Sequence, residues 1–195
     1  VLSADCSLPR VDVTYKLYYG GAQKRPDGNY CRVINDAKGK AFALVGESNR
    51  KDVRNAAEAA SKAQPGWDRR SGFNRSQILF YWAENLEQRR HEFVEHLTNI
   101  GLSVEMAEKE VDTAVSRLFH WASYCDKYGG AVQETQLYGT VLRLHEPVGL
   151  IGIACPDVHP LLGFVSLVAP AIARGNAVVA VPSEKNPTVA LSLYQ

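Results

Sequence analysis

The strongest regularity in the chain is a change in the period of its apolar positions. Before residue 50 they fall in short, extended-looking runs, YKLYY at 15–19, YCRVI at 30–34 and AFALV at 41–45. Turn residues at Pro26-Asp27-Gly28 and Lys38-Gly39 separate them. Proline presets one dihedral of such a turn and glycine permits a positive φ, so this part predicts a small antiparallel sheet. From Asn49 the spacing becomes helical. Asn49 can cap, and Asp52 places a negative charge in the first turn, where the helix dipole favours it. Val53, Ala56, Ala57, Ala60 and Ala63 form a small-sided stripe, and Pro65-Gly66 predicts the stop. A second helix from about Asn74 carries Ile78, Leu79, Trp82 and Leu86. A third carries Phe93, Leu97 and Ile100 and ends at Gly101. A fourth, from near Ser103, holds Val104, Ala107, Val111, Ala114, Val115, Leu118 and Phe119 on one stripe and is predicted to reach Tyr128 before Gly129-Gly130.

Beyond residue 130 the pattern changes again. QLYGTVLRLHE at 136–146 mixes apolar and polar positions in an extended segment that suits one arm of a projecting hairpin. VGLIGIA at 148–154 is almost wholly apolar, as expected of a parallel strand buried on both faces. Residues 161–174 then read as a crossover helix with Gly175 as its stop, and AVVAV at 177–181 as a second buried strand. Asn186-Pro187 opens a further helix, with a cap followed by proline in the first turn. In strand–helix–strand units ligands lie beyond the carboxyl ends of the strands, which directs attention to Cys155-Pro156-Asp157-Val158 and to Val181-Pro182-Ser183-Glu184. Two strands fall short of a complete α/β sheet. Together with a first residue that is Val rather than Met, this reads as part of something longer. Residues 1–14 read as a linker or tail.

Composition narrows the function classes. A formal net charge of +1 gives no electrostatic reason to expect nucleic acid, and no apolar run approaches the ~18 residues of a membrane span. The four cysteines lack metal-ligand spacing, so reduced thiols in a cytoplasmic protein are expected, with no metal. No P-loop and no G-x-G-x-x-G occurs. Cys155 ends an apolar strand with Asp157 two residues on, which suits a buried thiol better than a reactive one. His145 and His159 have no carboxylate at a spacing that would make either a general base, so solvated or capping roles are expected. The pairs Arg69-Arg70 and Arg89-Arg90 read as solvated faces, and Trp82, Trp121, Tyr124 and Tyr128 as helix-packing material.

The order of these segments resembles the N-terminal part of the aldehyde dehydrogenase superfamily, over roughly residues 15–195. The residues that carry the resemblance are Glu146-Pro147-Val148-Gly149, Ala169-Pro170-Ala171, Gly175-Asn176 and Pro182-Ser183-Glu184, together with INDAKGKAFALVGESNRKDVRNAAEAASKA at 34–63. The resemblance implies an α/β fold in which N-terminal antiparallel strands and helices lead into the first half of a Rossmann-like parallel sheet, truncated. It makes residues 15–195 a partial cofactor domain and places an oligomerisation arm at about 135–146. The family's nucleophilic Cys and general-base Glu are expected further downstream.

Two departures bear on chemistry. The resemblance places the family's oxyanion-donating Asn at Val158, which has no donor, and a lost oxyanion donor commonly costs ~10²–10³ in rate. It places a ribose-binding Lys at Val181, again without a donor. Asp157 adds a negative charge where an anionic dinucleotide is expected to lie. Cofactor contacts at Cys155, Pro156, Asp157, Val181, Ser183 and Glu184 are therefore expected to be weak or degenerate, with no catalytic residue in this chain and no bound cofactor. The leading expectation is a non-catalytic module with a structural, oligomerisation or protein-interaction role. It resembles the degenerate second unit of the tandem family 16 branch, and its partner is expected to be another dehydrogenase unit, a second copy or a further protein. The alternative is part of an active NAD(P)-dependent aldehyde dehydrogenase, an oxidoreductase whose catalytic residues lie downstream.

Overall fold

The structure, a computed structural model, describes residues 14–136 and 138–194. The expected linker lies outside the described residues up to position 13, and Thr14 already belongs to a strand. Five strands open the fold: β1 (Thr14–Tyr15), β2 (Leu17–Tyr19), β3 (Ala22–Lys24), β4 (Cys31–Asn35) and β5 (Ala41–Gly46). β4 and β5 pair antiparallel, as do β2 and β3 in a separate ribbon, but β1 runs parallel to β5. The expectation of a purely antiparallel sheet is thus corrected. Pairing across some thirty residues leaves no trace in local alternation. It is fixed by Tyr15, which packs with Ile34, Ala43 and Val45 in a small separate core. The turn between β3 and β4 also differs from expectation. The positive φ falls on Asn29, at 54°, and not on Gly28. Gly28 is needed for another reason: a Cβ there would sit 2.7 Å from the Tyr30 ring.

Four helices follow: α1 (Arg50–Asp68), α2 (Gly72–Gln88), α3 (Arg90–Asn99) and α4 (Val104–Tyr124). Asn49 and Asp52 form a reciprocal capping box at the start of α1. Pro65-Gly66 does not end α1. Although proline removes a helical hydrogen bond, the last turn is held from outside, where Trp67 Nε1 donates to the Ile172 carbonyl at 2.8 Å and Gln64 Nε2 to the Gly175 carbonyl at 3.2 Å. α4 stops four residues earlier than its pattern predicts, at Tyr124. The main core lies among α2, α3, α4 and α5 (Pro160–Ala173), where Leu79, Leu86, Phe93, Leu97, Val111, Leu118, Leu161 and Val165 are buried. Burying each of the larger side chains is worth roughly 1.5–3 kcal/mol.

β6 (Ala131–Glu134) and β7 (Thr140–Arg143) form an antiparallel ribbon with exposed Val132, Val141 and Leu142. Both arms of the expected hairpin are therefore present, starting at Ala131. β8 (Leu150–Ala154) and β9 (Ala177–Val181) pair in parallel, from Leu150 opposite Ala177 to Ala154 opposite Val181, with α5 as the crossover. Gly175 turns the chain at φ +85°, and Asn176 secures that turn. Its Oδ1 accepts from the Gly149 amide at 2.9 Å, while its Nδ2 donates to the Ala171 carbonyl at 3.0 Å. The expectation that both strands are buried on both faces is not met: no residue of either strand is fully buried. Among the described residues the sheet has two strands and therefore two open edges. The alanine stripe of α1 covers β9 only loosely, and a groove of 520 Å³ remains between them, lined also by the stacked rings of Tyr18 and Tyr194. A short α6 (Pro187–Leu191) and a 3₁₀ turn to Tyr194 complete the described fold.

Candidate functional site

The candidate site is the pair of loops that leave the carboxyl ends of β8 and β9. The parallel register sets them side by side, since the Cys155 amide donates to the Val181 carbonyl at 2.9 Å. Asp157 and Ser183, 26 residues apart, meet here. Ser183 Oγ donates to Asp157 Oδ1 at 2.8 Å, and the Lys185 amide donates to the same oxygen at 3.2 Å. Lys185 Nζ lies 4.0 Å from Oδ2. Ser183 is itself oriented, because its Oγ accepts from the Asn186 amide at 3.0 Å and its one proton is left for Asp157. The Ser183 hydroxyl, followed by the Lys185 amide, holds the Asp157 carboxyl below the usual carboxylate range.

The two aliphatic positions face outward. Val158 is 69% exposed and Val181 56% exposed. Neither brings a polar group to the crevice between the loops. Glu184, one of the expected cofactor contacts, neighbours Arg32: its carbonyl accepts from Arg32 Nη2 at 2.7 Å and its exposed carboxylate lies 3.8 Å from Arg32 Nη1. The second loop is thus tied to β4 as well as to the first loop. Pro156 packs close to α5, where a Cβ on Gly163 would stand 2.8 Å from its ring. Cys155 is half-buried, and that burial pushes its thiol up. A thiol held protonated is a poor nucleophile, though Cys155 is less buried than expected. Cys31, Cys125 and Cys155 are all free thiols.

His159 differs from expectation. It sits at the N-cap of α5 in the left-handed region, φ 54°, with Nδ1 3.4 Å from Oε2 of Glu110 on α4. A carboxylate partner therefore exists, 49 residues away in sequence. Glu110 is 3% exposed, and its Oε1 accepts from the Leu161 and Leu162 amides at 3.0 and 3.2 Å. It supplies from another helix the acceptor that the N-cap of α5 lacks. Its sequence signal was an acid set into the apolar stripe of α4, between Ala107 and Ala114. Lys185 and Arg32 carried no comparable signal, and Asn186, expected to cap the helix that follows, makes no side-chain capping hydrogen bond and acts here through its amide. His145 lines a polar pocket with Arg75, Asp126 and Arg174, away from the two loops. Among the described residues no group of three His, Cys, Asp or Glu side chains could hold a metal ion, and no helix is long and apolar enough to cross a membrane.

Comparison with known proteins agrees with this architecture. The sequence model described as the aldehyde dehydrogenase family matches residues 23–195. An aldehyde dehydrogenase of Agaricus bisporus is 32% identical over 83% of this chain and 33% of its own length. One of Deinococcus radiodurans is 31% identical over 98% of this chain and 39% of its own. The structure of betaine aldehyde dehydrogenase from Staphylococcus aureus, solved in complex with NAD+, superposes with a TM-score of 0.90 at 22% identity. That match covers 93% of this chain and 37% of the other. The chain thus spans between a third and two fifths of the length of these proteins.

Proposed function

The chain belongs to the aldehyde dehydrogenase family, and from that premise we propose that it is a non-catalytic, aldehyde-dehydrogenase-like module with a structural role. In this reading residues 15–195 form part of a cofactor-type domain that has lost its ligand, and the ribbon that includes residues 135–146 is an assembly arm. Its partner is another dehydrogenase unit or a second copy, as in the degenerate second unit of the tandem family 16 branch. The observation that carries the reading is the chemistry of the two loops. At the mouth of the crevice stand two exposed valines and a carboxylate already satisfied from within the chain. A dinucleotide needs donors for its ribose hydroxyls and phosphates. Val158 and Val181 supply none, the Glu184 carboxylate can only accept, and Asp157 presents the wrong sign of charge to a phosphate. The residues present do not fit NAD(P), so no catalytic step is assigned to them.

The scaffold that shapes the loops is retained. Gly175 and Asn176 still close the turn before β9, and Gly163 still admits Pro156. Loss is confined to groups whose use is chemical. This supports a fold kept for assembly more than one kept for turnover. Calorimetric titration of the full-length protein with NAD tests the reading, with no saturable heat expected. Saturable micromolar binding at this unit would overturn the reading of Val181, and a downstream Cys and Glu in family context would favour the alternative, part of an active NAD(P)-dependent aldehyde dehydrogenase.

A further inference from the structure

We propose that Asp157 acts as a resident anion, plugging the crevice between the two loops so that it rejects anionic ligands such as a dinucleotide phosphate. The inference deepens the reading above and rests on it. Three features of the geometry carry it. The Ser183 hydroxyl, 1% exposed, is fixed by the Asn186 amide so that its proton points at Asp157 Oδ1. The Lys185 amide adds a second donor to the same oxygen, and the Lys185 ammonium stands 4.0 Å from the other. Together these donors, drawn from one loop, converge on one carboxylate from the other loop. Such a set suits any small oxyanion, and the chain fills it with its own.

The tether makes this occupant hard to displace. Asp157 lies three residues beyond the end of β8, whose register with β9 already sets the two loops side by side. A free anion must compete against a group present at high effective concentration. Loss of the Val181 position alone would leave a weakened site. Asp157 makes it a closed one.

The test compares thermal melting of wild-type, Asp157→Ala and Asp157→Asn proteins in sodium acetate and in sodium chloride at equal ionic strength. Asp157→Ala is expected to melt at a lower temperature in chloride and to recover saturably with millimolar acetate, because a ligand bound to the native state raises Tm. Wild type is expected to show no acetate-specific shift, nor is Asp157→Asn, whose amide oxygen still accepts from Ser183. An equal response of all three to acetate overturns the proposal. If Asp157→Ala folds only when refolded in acetate, the rescue supports it. If that variant folds in neither salt while Asp157→Asn folds, Ser183 needs only an acceptor and the proposal fails. Binding of NAD to the wild-type protein would overturn the function proposed above, whereas the acetate comparison reads the plug alone.

Discussion

The helical core and the β8–β9 unit both rest on apolar side chains, set as one stripe on each of α2–α4 and as unbroken runs in the strands, yet they end in opposite states. In α2–α5 the stripes of neighbouring helices meet, and Phe93, Leu97 and Leu118 lose essentially all contact with water. In β8 and β9 the side chains are as apolar, but two strands expose two edges, and α1 lies over them with alanines that leave a groove. An apolar run therefore reports how much cover a segment is adapted to, and packing decides how much it receives. Burial is concentrated in the helices, while the apolar surface left uncovered among the described residues includes both strands of the sheet.

The largest effect that sharpens this contrast is a truncation on each side. Phe93→Ala is expected to cost about 3–5 kcal/mol, and Val179→Ala about 1 kcal/mol, since a half-covered valine loses two methyls' worth of partial burial. Urea denaturation of the two variants measures both. Equal costs would mean that the sheet is as well packed as the core. Next in size is the link between α4 and the crossover helix that joins the two strands. Glu110→Ala leaves two helix-end amides without their acceptor and is expected to cost about 1–3 kcal/mol, with Glu110→Gln less damaging because one acceptor remains. Equal losses in the two would show that the carboxylate's hydrogen bonds are immaterial.

The smallest effect concerns pH. Burial holds His96 below its usual 6.5, against the opposing pull of Glu92 and Glu95 and with Arg89 adding to the depression. Its Nδ1 lies 3.4 Å from Ser192 Oγ, itself 3.4 Å from the Tyr15 hydroxyl. Between the folded and unfolded pKa values the unfolded state holds the extra proton, so stability falls as pH drops. The penalty is absent above about 6.5 and grows below it. His96→Gln is expected to flatten Tm against pH in that window, and an unchanged slope would remove His96 as the cause.

Much of the fold was legible in the sequence because its signals are local. The Asn49 cap, the α3 stripe, the α2 stripe apart from the exposed Ile78, and the limits of β9 depend on residues within a few positions of one another. What escaped depends on partners far away. The parallel seat of β1 was decided by the burial of Tyr15, and the survival of α1 past Pro65 by carbonyls at 172 and 175. The candidate site divided in the same way. Val158 and Val181 could be located from the motifs around them. That Asp157 is occupied by Ser183 and Lys185, and Glu184 by Arg32, became visible only when β9 brought the loops together.

Glu110 also has a consequence for how the molecule assembles. The first turn of α5 has no acceptor of its own for the Leu161 and Leu162 amides until α4, some fifty residues earlier, is in place. Closing a loop of that length carries an entropic toll before any native contact offsets it. The crossover should therefore nucleate against the preformed bundle and not against the strands it joins, leaving β8 and β9 to zip together late. Kinetically, the least covered part of the described fold is the last to exist.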